Sequence, residues 1–259
     1  MKITMIQFHT QASIRKNIQH LQDIEVNDTN VIVLPELFAT YFENGMITQS
    51  ENYAQDLYDR LSCLAKKNHV YVVGGTIASK HKNMCFIFDP QGKEIAAYAK
   101  MHLLHVRAKK EYKESDVFEL GNSFCTFDLN GIRCGIVICY DTRFPELTRI
   151  LAQKGIRILF VPAAFNDQVG PLHWEALLKA RAIENEIFVV GVSPYYRAKN
   201  CNMYGHSMII DPFGRCIYEM KNEQEIASVS IDPNYVDTIR ERMPLWEQRR
   251  NDLYEIIQK

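Results

Sequence analysis

The chain has 259 residues, 47% hydrophobic and 24% charged, with a formal net charge of −1; this balance argues against a nucleic-acid or anionic-membrane binder. The length allows one large domain or two small ones. Seven cysteines, an odd number with no CxxC pair, argue against a disulfide framework and for reduced thiols in a cytoplasmic setting; the start MKITMIQFHT lacks a signal-peptide core, and no later apolar run reaches membrane-spanning length.

In chain order, Lys2 to Phe8 reads as a first strand. Ser13 to Ile24 fits an amphipathic helix, with Ile14, Ile18 and Leu21 on one face and Ser13 available as its cap. Val31 to Leu34 is a continuous apolar run, as expected of a buried strand, and it ends in Pro35-Glu36. Glu51 to Lys67 is helical in period, and Val70 to Ile77 is a further strand. Met84 to Met101 reads as a hairpin turning at Asp89-Pro90-Gln91-Gly92. His102 to Phe118 is polar and aperiodic, hence a long loop, and such loops in compact domains are commonly functional. Gly131 to Leu147 reads as a strand running into a helix, with Cys139 at the crossing point, Pro145 in the first helical turn and Gly155 as the stop. A strand at Ile158 to Val161, a helix from Trp174 to Asn185, a strand at Ile187 to Val192 and a hairpin at His206 to Met220 follow.

The two halves echo each other. VIVLPELF (31–38) matches RILFVPAAF (157–165), FIFDPQGKEI (86–95) matches MIIDPFGRCI (208–217), and KITMIQF (2–8) matches IRCGIVIC (132–139). Offsets of roughly 120–130 residues exclude a short-period solenoid and suggest two similar α/β halves within one domain. Their sheets would pack face to face, with helices outside.

Three polar residues end or follow apolar strands: Glu36, Lys100 and Cys139. Cysteine is an intrinsically strong nucleophile. A neighbouring carboxylate can take its proton and return it to a leaving amine. A lysine, with the backbone N–H of Tyr140, can stabilise an oxyanion. Singly, each residue has a commoner role: a capping glutamate, a solvated lysine, a buried cysteine. His102 and His105 could be read as a metal pair, but no further ligands stand at metal spacing.

ICYDTRFPEL, LPELF and YAKMHLL together resemble the three motifs of the nitrilase superfamily, the carbon–nitrogen hydrolases, in order and over nearly the whole chain. The resemblance implies a four-layer α-β-β-α sandwich with an internal pseudo-twofold, formed by a single domain over residues 1–259 with a C-terminal extension from about 236. It implies a catalytic triad of Glu36, Lys100 and Cys139. It also implies a second glutamate that orients the lysine and the substrate amide, for which Glu114 fits and Glu111 ranks lower. No metal or organic cofactor is implied.

AAFNDQVGPLHWEALLKARAIEN, YGHSMIIDPFG and IDPNYVDTIRERMPLWEQRRNDLY are similar to the branch holding the ω-amidases and the deaminated-glutathione amidases, and Ala164-Phe165-Asn166 with Val192-Ser193-Pro194 leans to the former. ATYFENG (39–45) matches neither closely. The expected activity is hydrolysis of the terminal amide of 2-oxoglutaramate or 2-oxosuccinamate. The alternatives are a deaminated-glutathione amidase, a nitrilase, or a silent scaffold on the same fold. Arg143 could hold a substrate carboxylate or form a structural salt bridge. Tyr41 and Phe165 are candidate pocket walls, and Trp174 a core residue. The only partners expected are the small-molecule amide and a second copy of the chain, a homodimer joined by the segment from Val236 to Lys259.

Overall fold

The structure is a computed structural model that describes residues 1–107, 111–199 and 201–258. In the first half β1 (Lys2–Gln7), β2 (Val31–Val33) and β3 (Tyr71–Val73) run parallel. The strands β4 (Ile77–Ser79), β5 (Lys82–Phe88) and β6 (Glu94–Ala99) follow as antiparallel neighbours. Met84 lies between Ile77 and Ala99, and Ile87 between Val73 and Ala96, so β3 and β4 share one side of β5. A two-stranded ladder, β7 (His105–Val106) with β8 (Tyr112–Lys113), separates the halves. The second half comprises β9 (Thr126–Leu129), β10 (Ile132–Ile136), β11 (Ile158–Pro162), β12 (Phe188–Val192), β13 (Met208–Ile210) and β14 (Cys216–Glu219). Then β15 (Glu225–Ser230) crosses back to pair antiparallel with β1, Lys2 opposite Ser230.

The strand orders are β15-β1-β2-β3-β5-β6 and β9-β10-β11-β12-β13-β14, the same pattern of three parallel strands flanked by antiparallel ones. The helices repeat too. The helix α1 (Ile14–Gln22) joins β1 to β2 as α4 (Pro145–Gln153) joins β10 to β11, and α3 (Ala54–Asn68) joins β2 to β3 as α5 (Gly170–Asn185) joins β11 to β12. The repeat read in the sequence is therefore a repeat of topology.

The layers follow from alternation along the strands. Val31 and Val33 point into the central core shared with Ile136, Phe160 and Val190, whereas Ile32 and Leu34 join Ile14, Ile18, Leu57 and Leu61 beneath α1 and α3. A strand buried on both faces must be apolar throughout, which is why this run shows no polar alternation. Trp174 and Leu178 of α5 and Leu151 of α4 cover the other sheet. The result is four layers, α-β-β-α. Each fully buried aliphatic side chain contributes about 1.5–3 kcal/mol.

Several elements differ from expectation. The strand expected over Val70 to Ile77 breaks at Gly74-Gly75-Thr76, where the backbone turns to meet Pro35. The loop from His102 to Phe118 contains β7, β8 and a 3-10 turn (Glu114–Asp116); its residues 108–110 lie outside the described residues. The helix α5 starts one turn early, at Gly170. A helix α2 (Asn44–Ser50), β9 and β15 were not foreseen. The C-terminal segment contains a helix, α6 (Tyr235–Arg242), with Val236 and Ile239 buried; Lys259 lies outside the described residues. Among the described residues no helix is long and apolar enough to cross a membrane.

Candidate active site

Beyond β10 the chain stays extended through Ile138 and then reverses at Cys139, whose φ is +44°. A left-handed backbone is uncommon for a residue with a Cβ and persists only where its surroundings fix it. Asp141 fixes it. Its buried carboxylate accepts from the Ile138 N–H (3.0 Å), the Tyr98 hydroxyl (2.8 Å) and the His102 N–H (2.9 Å), and lies 2.8 Å from His102 Nδ1. The Thr142 hydroxyl donates to the Cys139 carbonyl at 2.6 Å, and buried Arg181 donates to the Thr142 carbonyl at 2.8 Å. The Tyr140 N–H stands in the first turn of the 3-10 helix over Cys139–Arg143, among the donors that a helix start leaves without an intrahelical partner.

The structure brings four of the residues singled out in the sequence into one buried cluster. Lys100 Nζ donates to Glu36 Oε1 at 2.8 Å and to both oxygens of Glu114 at 2.9 and 2.8 Å. Glu36 and Glu114 are 0% exposed, Lys100 1% and Cys139 7%. Asn83 also donates to Glu36 Oε1, at 2.9 Å. Glu36 Oε2 is buried and takes no hydrogen bond from a nitrogen or oxygen donor among the described residues, while the Cys139 thiol interacts with the same carboxylate. Glu114 Oε2 additionally accepts from the Leu104 N–H at 2.6 Å. Glu111 is exposed and pairs with His105 and Lys113, so Glu114 is the glutamate beside the lysine.

These neighbours set the charges. Burial, opposed by Lys100 and reinforced by Glu114, raises the Glu36 carboxyl above its usual range. Burial pulls the Lys100 ammonium down, but Glu114 and Glu36 outweigh it and hold it protonated, well above its usual range. Burial and then the Glu36 carboxylate push the Cys139 thiol well up, against Lys100 and the Ala164 backbone N–H. The resting nucleophile is thus a neutral thiol, and a base must take its proton as it attacks.

A cavity of about 400 Å³ opens over Cys139, lined among others by Tyr140, Arg143, Ala164, Phe165, Asn166 and His173, with Leu104 and Arg107 from the central loop. The Arg143 guanidinium lies 5.7 Å from the Tyr140 ring centre and 5.4 Å from that of Phe165, and Nη1 contacts His173 Nδ1 at 3.1 Å. Among the described residues it has no carboxylate partner. Tyr41, expected as a pocket wall, instead stacks on Tyr196 (centroids 4.5 Å) and is not one of the cavity's lining residues. Trp174 is fully buried and donates to the His206 carbonyl at 2.7 Å. The two histidines are spoken for, His102 by Asp141 and the Phe144 ring, His105 by Glu111; no group of three metal-ligating side chains occurs among the described residues.

Sequence reasoning missed Asp141, Asn83 and Tyr98, and read His102 only as half of a metal pair. The available signal was Asp141 itself, an acid two residues past the cysteine where the chain should still be buried. Apart from the neighbouring Ile138, its partners Tyr98 and His102 lie 43 and 39 residues away, which no local pattern reveals.

This geometry defines a buried cysteine–carboxylate–lysine hydrolase site on an α-β-β-α sandwich. The profile of the carbon–nitrogen hydrolase family matches residues 2–241, and the chain belongs to that family, making it an enzyme that hydrolyses amide carbon–nitrogen bonds. It is 36% identical to a Schizosaccharomyces pombe protein described as hydrolase C26A3.11, over 99% of this chain and 84% of that one. It is 32% identical to omega-amidase NIT2 of Xenopus tropicalis, over 100% and 98%. Among solved structures, Nit3 of Saccharomyces cerevisiae, a member of branch 10 of the nitrilase superfamily, superimposes with a TM-score of 0.86 at 32% identity, covering 96% of each chain.

Proposed function

We propose that the protein is an ω-amidase, hydrolysing the terminal amide of a small dicarboxylate monoamide such as 2-oxoglutaramate or 2-oxosuccinamate through a thioester on Cys139. The observation that carries the mechanism is Glu36: one carboxylate oxygen is held by Lys100 and Asn83, and the other has no oxygen or nitrogen donor among the described residues and lies beside a neutral thiol. Cys139 attacks the amide carbon while Glu36 takes the thiol proton. The Lys100 ammonium and the Tyr140 N–H hold the oxyanion, and Glu114 keeps Lys100 in place. Glu36 then protonates the departing ammonia. A water, deprotonated by Glu36, cleaves the thioester to the acid and restores the thiol.

The choice of substrate draws on Arg143, a cation on the cavity wall with no carboxylate partner among the described residues, which suits a carboxylate at the far end of the substrate, and on the omega-amidase relative. Phe165 forms the wall beneath it. Ammonia release from 2-oxoglutaramate, measured beside deaminated glutathione, glutamine and a simple nitrile, tests the reading. Preference for 2-oxoglutaramate by at least about tenfold in kcat/KM is the expected result, one order being what a single charged contact supplies. Preference for deaminated glutathione would replace it with the rival amidase. The protein is further proposed to act in the cytoplasm and to form a homodimer, the dimer being supported by the exposed Leu253, Tyr254 and Ile257 near the C-terminus.

A further inference from the structure

Tyr112 carries a hydroxyl that the scheme above does not use. It lies in β8, two residues before Glu114, and is paired with Val106, which lines the cavity over Cys139. Its ring sits against Phe42, with centroids 5.6 Å apart. The hydroxyl oxygen is buried and has no hydrogen-bond partner among the described residues. Leaving such a group unpaired is costly, and native structures tolerate it mainly where a ligand completes it. Burial, then the Glu114 carboxylate, raise the phenol against Lys100, so the hydroxyl stays neutral.

The hydrogen-bond inventory of the cluster says what the hydroxyl could serve. A primary carboxamide brings one acceptor and two N–H donors. The acceptor is provided for by Lys100 and the Tyr140 N–H. One N–H can reach Glu36 Oε2. The second needs a further acceptor: Glu114 Oε2 already accepts from Lys100 and the Leu104 N–H and Oε1 accepts from Lys100, which leaves Glu114 one acceptor site, on Oε1. The Tyr112 oxygen has both lone pairs free.

We infer that Tyr112 is a substrate-contacting residue whose hydroxyl accepts a hydrogen bond from the N–H of the carboxamide, so favouring primary amides over acyl groups that lack an N–H. This rests on the amidase reading above. Its mark is an opposition between stability and activity. Removing an unpaired buried hydroxyl costs the free enzyme nothing, yet removes a contact from the bound amide.

The test compares wild type, Tyr112→Phe and Cys139→Ala on an amide and on the methyl ester of the same acid. The phenylalanine variant keeps the ring on Phe42. It is expected to melt at or above the wild-type temperature, to lose about tenfold in kcat/KM on the amide, the loss of one buried hydrogen bond, and to keep its rate on the ester. An unchanged amide-to-ester ratio overturns the assignment, as does a fall in melting temperature with equal loss on both substrates, which marks a structural hydroxyl. If wild type hydrolyses the amide no faster than Cys139→Ala does, the amidase reading fails, and the Tyr112 assignment falls with it.

Discussion

Glu36 and Cys139 illustrate how burial decides chemistry residue by residue. A carboxylate in water is a weak base, and a thiol in water is partly ionised near neutral pH. In the cluster both are pushed upward, so the thiol keeps its proton and the carboxylate becomes the stronger base. The sign of the pH dependence follows. As pH falls through the raised Glu36 value, the base is protonated and cannot accept from the thiol. The acid limb of kcat/KM is therefore expected above 4.5, the ordinary glutamate value, and it is read from a rate profile in buffers of constant ionic strength. The limb belongs to the coupled cluster and not to Glu36 alone. A limb at or below 4.5 would mean that Glu36 is not the group titrating. At this scale the sequence was legible for Glu36, Lys100, Glu114 and Cys139, because each stands at the end of an apolar strand or within a recognisable motif. Asp141 and Asn83 were not legible, because their importance lies in the partners they meet.

At the scale of elements, the informative feature is the break between β3 and β4. One continuous strand was expected over Val70 to Ile77, since its residues are apolar or small. Instead Gly75 takes φ +60°, and a Cβ there would stand 2.2 Å from the Pro35 carbonyl oxygen. The same break lets the Thr76 N–H donate to that carbonyl at 3.1 Å and the Thr76 hydroxyl accept from the Leu37 N–H at 2.8 Å. Leu37, immediately after Glu36, is itself left-handed at φ +46°. The turn that aims Glu36 is thus gripped by the interrupted strand. Replacing Gly75 with Ala adds a clash to an unfavourable φ and should destabilise the fold by roughly 2–4 kcal/mol in a denaturant titration. The surviving folded enzyme should also lose turnover, because Pro35 moves with the clash. Wild-type stability and rate in Gly75→Ala would show that the contact does not constrain the turn. Gly121 makes a similar approach beneath Lys100, where a Cβ would lie 2.1 Å from the Ala99 carbonyl oxygen.

Over the whole molecule, the topological repeat places an equivalent position opposite each catalytic one. Strand register makes Phe8 the counterpart of Cys139, Ala163 that of Glu36 and Asn222 that of Lys100. None of the three counterparts is a cysteine, a carboxylate or a lysine, so among the described residues the repeat carries this chemistry at one edge only. The repeat was readable because both halves keep their D-P-x-G turns and their strand-end prolines. The edge strands β9 and β15 were not, because short half-exposed strands gain their identity from distant partners, as β15 does from β1. The C-terminal segment from α6 onward holds Trp246 among Arg149, Arg240 and Arg249, and then leaves Leu253, Tyr254 and Ile257 exposed. A homodimer that covers these side chains should sediment at about twice the 30.1 kDa chain mass at micromolar concentration. A single species of one chain mass would contradict it.

The most direct test of the thioester mechanism is the rate of ammonia release from 2-oxoglutaramate by wild type and by Cys139→Ala, with circular dichroism of both. The alanine variant should keep the wild-type spectrum and lose turnover by at least about a thousandfold, as expected when a covalent nucleophile is removed. A folded Cys139→Ala protein that releases ammonia at the wild-type rate would show that the carbon–nitrogen bond is broken without this thiol.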